Sequence, residues 1–132
     1  MTKQIILKSK EDRRVLAGHP WAFSNEIREI RGEPEAGDVV ELRSAGGKLL
    51  GVGFYNPHSL IAFRMLSRTA EECSPDLFLR RLRQALELRK KLYPHSETFR
   101  LVHGESDFLP GLIIDKYNQY VALQTLSFGM DV

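Results

Sequence analysis

Apolar and polar residues alternate through most of the first 66 positions, and glycine or proline interrupts the alternation at short intervals. This is the pattern of short, half-buried strands joined by tight turns. Residues 4–8 read as a first strand. Residues 11–17 can form one or two helical turns ended by Gly18, since glycine is favoured just past a helix C-terminus. Pro20 blocks continuation. From Trp21 to Ile27 the apolar positions alternate again, into a strand or a second short turn. Residues 32–37 form a loop containing Pro34. Residues 38–43 and 48–55 read as the arms of a hairpin turned by Ala45-Gly46-Gly47. Asn56-Pro57-His58 breaks the second arm, and residues 59–66 form another strand with Ile61, Phe63 and Met65 on one face. So many short strands with glycine-marked turns predict a small barrel rather than an open parallel sheet.

The period changes at residue 74. Ser74 is a good N-cap, Pro75 suits the first helical position and Asp76 favours the positive end of the dipole. The helix should run to about Leu92 and stop before Pro94. Leu77, Phe78, Leu79, Leu82, Ala85, Leu86, Leu88 and Leu92 cover a wide arc, which predicts packing on more than one side. Arg80, Arg83, Lys90 and Lys91 fall on the opposite face, with Glu87 among them. Strands are expected at 99–103, 112–117 and 120–126, the last two joined by the two-residue turn Asn118-Gln119. The fold class is therefore α+β, a strand-rich barrel followed by a small α/β unit, with a boundary between Ser67 and Ser74. The chain closes just past a strand, and reads as cut short.

Charge is unevenly spread. Residues 1–70 hold 11 Lys/Arg against 8 Asp/Glu, and residues 71–132 hold 8 against 9. A mildly basic first half is compatible with a nucleic-acid partner and equally with a solvated surface. The single cysteine, Cys73, excludes an internal disulfide framework and fits a reducing compartment. Its neighbours Glu71 and Glu72 would raise its thiol pKa and make it a poor nucleophile. No run spans a bilayer and no apolar leader opens the chain, so a soluble cytoplasmic protein is expected.

Candidate chemistry is sparse. Glu105 and Asp107, two residues apart, could form an acid/base pair or begin a hard-metal site. The plainer reading is a turn, because Ser106, Asp107 and Pro110-Gly111 are turn formers. His19, His58, His95 and His103 are scattered, with no metal-ligand spacing. Gly46-Gly47 and Gly51-x-Gly53 lie within a hairpin rather than at a strand–turn–helix phosphate loop. A better constellation is Arg13-Arg14 followed by His19, Trp21, Ser24 and Asn25, with Tyr55-Asn56 offering a similar mix at a strand end. Cations hold phosphates, flat rings stack on unpaired bases, and amides or hydroxyls read base edges. Trp21 and Phe23 could equally be core residues, and at least one is expected to be buried. The stripe Arg80, Arg83, Lys90 and Lys91 could meet a phosphate backbone or simply face solvent.

Three segments then carry a resemblance. Gly18-His19-Pro20-Trp21-Ala22-Phe23-Ser24-Asn25-Glu26-Ile27, Gly51-Val52-Gly53-Phe54-Tyr55-Asn56-Pro57-His58-Ser59 and Ile61-Ala62-Phe63-Arg64-Met65-Leu66 resemble the PUA domain of class I SAM-dependent RNA methyltransferases. The resemblance is to the bacterial large-subunit rRNA cytosine-C5 subgroup. Gly104-Glu105-Ser106-Asp107-Phe108-Leu109-Pro110-Gly111-Leu112-Ile113-Ile114-Asp115-Lys116-Tyr117 is similar to that family's linking α/β domain. The resemblance implies a PUA pseudo-barrel over residues 1–70 that positions RNA, then a central α/β domain over 74–132. It implies ribosomal RNA as partner, and S-adenosylmethionine as cofactor of the parent enzyme. The family's SAM-binding Rossmann-like domain and its catalytic cysteine would lie beyond Val132, so these residues alone should be inactive. Cys73 does not match that cysteine. A second reading is an interaction module whose central strands pair with another copy, as a homodimer, or with the missing catalytic domain. A hydrolase using Glu105 and Asp107 is the third.

Overall fold

Strands form where the alternation predicts them, and the chain assembles them into two sheets. The computed structural model describes residues 2–70, 73–126 and 130. The elements are β1 (Gln4–Leu7), α1 (Arg13–Leu16), β2 (Trp21–Phe23), a 3-10 turn (Ser24–Glu26), β3 (Ile27–Arg31), β4 (Val39–Arg43), β5 (Leu49–Tyr55) and β6 (Ile61–Ser67). After them come α2 (Pro75–Leu92), β7 (Thr98–His103), a second 3-10 turn (Gly104–Asp107), β8 (Leu112–Tyr117) and β9 (Tyr120–Thr125).

The first six strands make one mixed sheet in the order β2-β6-β5-β4-β1-β3, in which only β1 and β4 are parallel. Consecutive strands β2 and β3 lie at its two outer edges. In a flat sheet those edges would be about 24 Å apart, at about 4.8 Å per strand. The link Ser24–Glu26 is a single turn, and its chain could reach only about 14 Å even when extended. The sheet must therefore curl into a half-barrel. Ile5, Leu7, Val15, Ala22, Val40, Leu42, Phe63 and Met65 fill it. Gly53 is required by close packing: a Cβ there would collide with the Arg64 carbonyl oxygen and lie 2.8 Å from the Phe63 ring.

β3 was not foreseen. Four of its five residues are exposed, so it lacks a buried alternation, and it is a strand because its backbone pairs with β1. In β6, Phe63 and Met65 enter the barrel core while Ile61 is only half-buried. Leu66, with Phe54 and Leu77, forms a separate cluster that joins the barrel to α2.

The N-cap reading of α2 holds: Ser74 Oγ accepts the Leu77 N–H, and Pro75 opens the helix. The helix packs on β7, and Ala85, Val102, Leu109, Leu112 and Ile114 form the second core. The expectation of packing on more than one side holds only in part: Leu77 meets the barrel and Ala85 the β7 sheet, but the apolar arc is not fully covered. Leu79, Leu88 and Leu92 are exposed, because among the described residues nothing covers those flanks. β7, β8 and β9 are antiparallel in that order, and Tyr120, Val121 and Leu123 leave β9 an uncovered apolar edge strand. Residues 127–129, 131 and 132, where the chain is expected to be cut short, lie outside the described residues.

Candidate nucleic-acid interface

The β2 strand turns its apolar alternation inside out. Small Ala22 points into the barrel, while Trp21 and Phe23 are only half-buried on the other face. The expectation that at least one of the two rings is buried is corrected: among the described residues the outer face of this three-residue edge strand is only partly covered. Instead the rings are dressed by cations. Arg14 lies 5.1 Å from the Phe23 centroid and Arg64 lies 5.1 Å from that of Trp21. His19 packs edge-on against Trp21, and its Nδ1 accepts the Trp21 N–H at 3.2 Å. Guanidinium over an aromatic face is a favourable pairing.

Arg14 is also a structural residue. It pairs at 3.0 Å with buried Glu26, whose other oxygen accepts the Phe23 N–H at 2.8 Å and so closes the first 3-10 turn. Arg13 is exposed on the same helix. Ser24 and Asn25 are exposed, next to Leu60, whose carbonyl accepts the Ser24 N–H. Asn56 folds back to accept the His58 N–H. Tyr55 departs from its predicted use: it is 6% exposed, sits in the barrel core, and burial pushes its phenol pKa up. Only a small part of Tyr55 reaches the surface, at a cavity of about 370 Å³ that it lines with Ser24, Arg28 and Pro57.

The turn Gly104–Asp107 separates its two carboxylates. Glu105 accepts the Trp21 indole N–H at 3.0 Å and an Arg64 N–H at 2.9 Å, tying this turn to the barrel. Asp107 takes both Arg89 nitrogens at 2.6 and 2.7 Å and also accepts the His103 N–H. Each carboxylate is held by its own partners, so the two do not act as a joined pair. The turn reading stands. Leu112 N–H closes on Leu109 O, with Gly111 at φ 76° supplying the positive φ that a turn of this kind needs. Asp115 pairs with Arg100 across the sheet.

A cleft of about 590 Å³ opens between the barrel and the α2 layer. Gly18, Pro20 and residues 65–68 form one wall, Arg80, Arg81 and Gln84 of α2 another, and Glu105, Ser106 and Phe108 the third. A neighbouring cavity of about 330 Å³, lined by Trp21 and Arg64, shares Glu105 and Ser106 with it. The predicted residues therefore divide. Arg80 lines the cleft and Trp21 the adjoining cavity, while His19 lies between the cleft-lining Gly18 and Pro20 without lining it. Ser24 and Asn25 lie at the other end of the β2–β6 pair, about 13 Å away at four strand residues. Arg83, Lys90 and Lys91 are exposed along α2, with Lys91 about 16 Å from Arg80 along the helix axis. Arg68, Arg81 and Phe108 were missed. Arg68 and Arg81 look like ordinary scattered cations in the sequence, and Phe108 is masked by the turn formers around it.

Comparison with known proteins now bears on this geometry. Residues 5–68 match the PUA-like domain family. The half-barrel is a PUA-like domain. Over 98% of its length the chain is 40% identical to ribosomal RNA large subunit methyltransferase I of Alteromonas mediterranea, covering 33% of that protein. The Vibrio cholerae protein of the same name is 38% identical over 99% of the chain and is covered to 34%. The chain thus spans about a third of the length of these relatives. In fold it matches a putative SAM-dependent methyltransferase from Streptococcus mutans, with a TM-score of 0.83 at 18% identity, covering 99% of this chain and 34% of that one. A putative methyltransferase solved in complex with SAH matches with a TM-score of 0.78 at 19% identity, over 97% of this chain and 33% of that one.

SAM itself does not fit the described residues. The one long helix follows β6 through residues 68–74, which contain no glycine, and it begins at Ser74-Pro75. A phosphate- or nucleoside-cradling strand–glycine turn–helix is therefore lacking there. Among the described residues no group of three or more His, Cys, Asp or Glu converges to hold a metal. None of the described helices is long and apolar enough to cross a membrane. Cys73 is on the surface, and local packing around its sulfur raises the thiol pKa.

Proposed function

We propose that this chain is the RNA-docking N-terminal part of a cytoplasmic SAM-dependent methyltransferase that modifies C5 of a cytosine in large-subunit ribosomal RNA. In this reading residues 1–70 hold RNA and residues 74–132 connect them to a catalytic domain that binds SAM. The observation that carries it is the run of guanidinium and ring surfaces across the two adjoining cavities, from Trp21 and Arg64 to Arg68, Arg80, Arg81 and Phe108. Cations and flat rings on a shared surface suit phosphates and unpaired bases. The names of the relatives support rRNA as the target.

The test is fluorescence anisotropy of a labelled large-subunit rRNA hairpin. Arg14 is unsuitable for substitution because it holds Glu26. Arg13→Ala, Arg83→Ala and Lys90→Ala remove exposed cations instead. Each cation that contacts a phosphate should weaken binding to any sequence and lower the salt slope by about 1 when removed. Wild-type binding that all three leave unchanged removes the docking role from α1 and the exposed face of α2, and no binding at all removes it from the whole chain.

The uncovered β9 favours a second reading, an interaction module that pairs with another copy or with the catalytic domain. Light scattering on the 132-residue chain tests self-pairing: a strict monomer at high concentration rules out the homodimer.

A further inference from the structure

Phe108 is the least expected residue in the cleft. It is a large aromatic, 63% exposed, and it holds a left-handed backbone with φ 60° and ψ 30°. Among the described residues the other non-glycine positive φ values belong to Lys10, Glu33 and Asn118. A bulky ring is a rare occupant of that region, where glycine or asparagine costs less. The surroundings enforce it. Phe108 N–H bonds Glu105 O, its carbonyl accepts an Arg81 N–H at 2.7 Å, and the next residues, Leu109 and Pro110, are fully buried. A left-handed residue is what lets Leu109 enter the core while the preceding side chain is thrown outward. Strain held by neighbours so as to display an apolar ring points to use of the ring.

Its setting says what it would meet. Arg81 lies 5.5 Å from the ring centroid, so one part of the ring is already backed by a cation. Arg68 and Arg80 line the same cleft with Gln84. Among the described residues the acidic one lining the cleft is Glu105, paired with Arg64 and bonded by the Trp21 indole N–H. A volume of about 590 Å³ is in the range of a pocket for a small ligand. Resting on the RNA-docking reading above, the geometry points to this cleft as the subsite for a single unpaired nucleotide of the bound RNA. The base stacks on Phe108, Gln84 faces its polar edge, and the guanidiniums of Arg68 and Arg80 take the flanking phosphate. Gln84 offers both a donor and an acceptor for that edge. The shared chemistry is that of a nucleoside 5′-phosphate, and its source is a bulged or looped RNA residue.

The test uses the whole 132-residue chain and two RNA hairpins of equal length, one fully paired in its stem and one with a single 2-aminopurine bulge. The bulged hairpin should bind more tightly, and its fluorescence should be quenched on binding by stacking. Phe108→Ala should weaken binding of the bulged RNA by about fivefold or more, leave the paired one nearly unchanged, and abolish quenching. Phe108→Trp should retain the quenching, and circular dichroism of each variant checks that the turn has not collapsed. Cytidine 5′-monophosphate at millimolar concentration should compete only weakly, and full competition would assign the cleft to a free nucleotide instead. If wild type binds both hairpins equally and Phe108→Ala behaves as wild type, the subsite is wrong while RNA docking survives. If wild type binds neither, both readings fall.

Discussion

Arg89→Met is the sharpest test of whether the second 3-10 turn is structural. Arg89 and Asp107 form a two-pronged pair at 2.6 and 2.7 Å, with side chains only 12% and 5% exposed. Methionine keeps much of the arginine stem's volume but leaves the Asp107 carboxylate buried, still accepting the His103 N–H but stripped of its cation. Stranding one member of a buried pair costs about 3–5 kcal/mol. That is a large share of the roughly 5–15 kcal/mol that holds a domain folded. At about 3–5 °C per kcal/mol for a chain of this size, Tm should fall by roughly 10–20 °C. Asp107→Asn should also destabilise, less severely, because the amide oxygen can still accept from His103. The double variant removes the stranded charge, so it should be less destabilised than the sum of the singles, by about 1 kcal/mol or more. Thermal and urea unfolding followed by circular dichroism measure all three. A Tm drop below about 3 °C for Arg89→Met, or strict additivity in the cycle, would refute the reasoning.

Glu105→Ala removes the acceptor shared by Trp21 and Arg64, both partly solvent-accessible, and should cost about 1–2 kcal/mol. Trp21 is the only tryptophan, so its emission should shift to the red as the indole N–H turns to water; an unchanged spectrum contradicts the contact. Gly53→Ala forces a methyl into the Arg64 carbonyl and should destabilise by about 1–3 kcal/mol, read as a lower urea midpoint with unchanged slope. Asp38 accepts from Lys3 Nζ and from the Glu35 N–H, which hold its carboxyl below the ordinary range, the Lys3 bond first. Because the folded pKa is depressed, its stabilisation is present above about pH 4, the unfolded value, and is lost as pH falls through the folded pKa. The Tm gap between wild type and Asp38→Asn should therefore be full at pH 6 and shrink below pH 4. A gap that grows on acidification contradicts the sign.

Much of the fold was legible because it rests on local chemistry. The hairpin at Ala45-Gly46-Gly47, the cap Ser74-Pro75 and the turn Pro110-Gly111 each depend on a few adjacent residues, and all appear where the sequence places them. β3 was not legible, because a strand held by pairing to β1 need not bury a face. The exposure of Leu79, Leu88 and Leu92 on α2 was not legible either, since periodicity records which residues are apolar and not what covers them. At the site, the sequence marked the β2 rings and Arg80. It could not mark Arg81, Arg68 or Phe108, which become a group only when the turn after β7 folds against α2 and β6. The burial of Tyr55 was not legible for the complementary reason: its polar neighbours Asn56 and His58 suggest surface, while β5 turns most of its ring into the core.

The central claim is that this chain docks RNA through cations, and the salt dependence of binding tests it most directly. Anisotropy of a large-subunit rRNA hairpin would be measured from 50 to 300 mM KCl. Docking through several phosphate contacts should give measurable affinity at low salt and a linear log–log decline with a slope magnitude of about 3 or more. Binding that is absent at 50 mM, or that stays flat across the range, would contradict it.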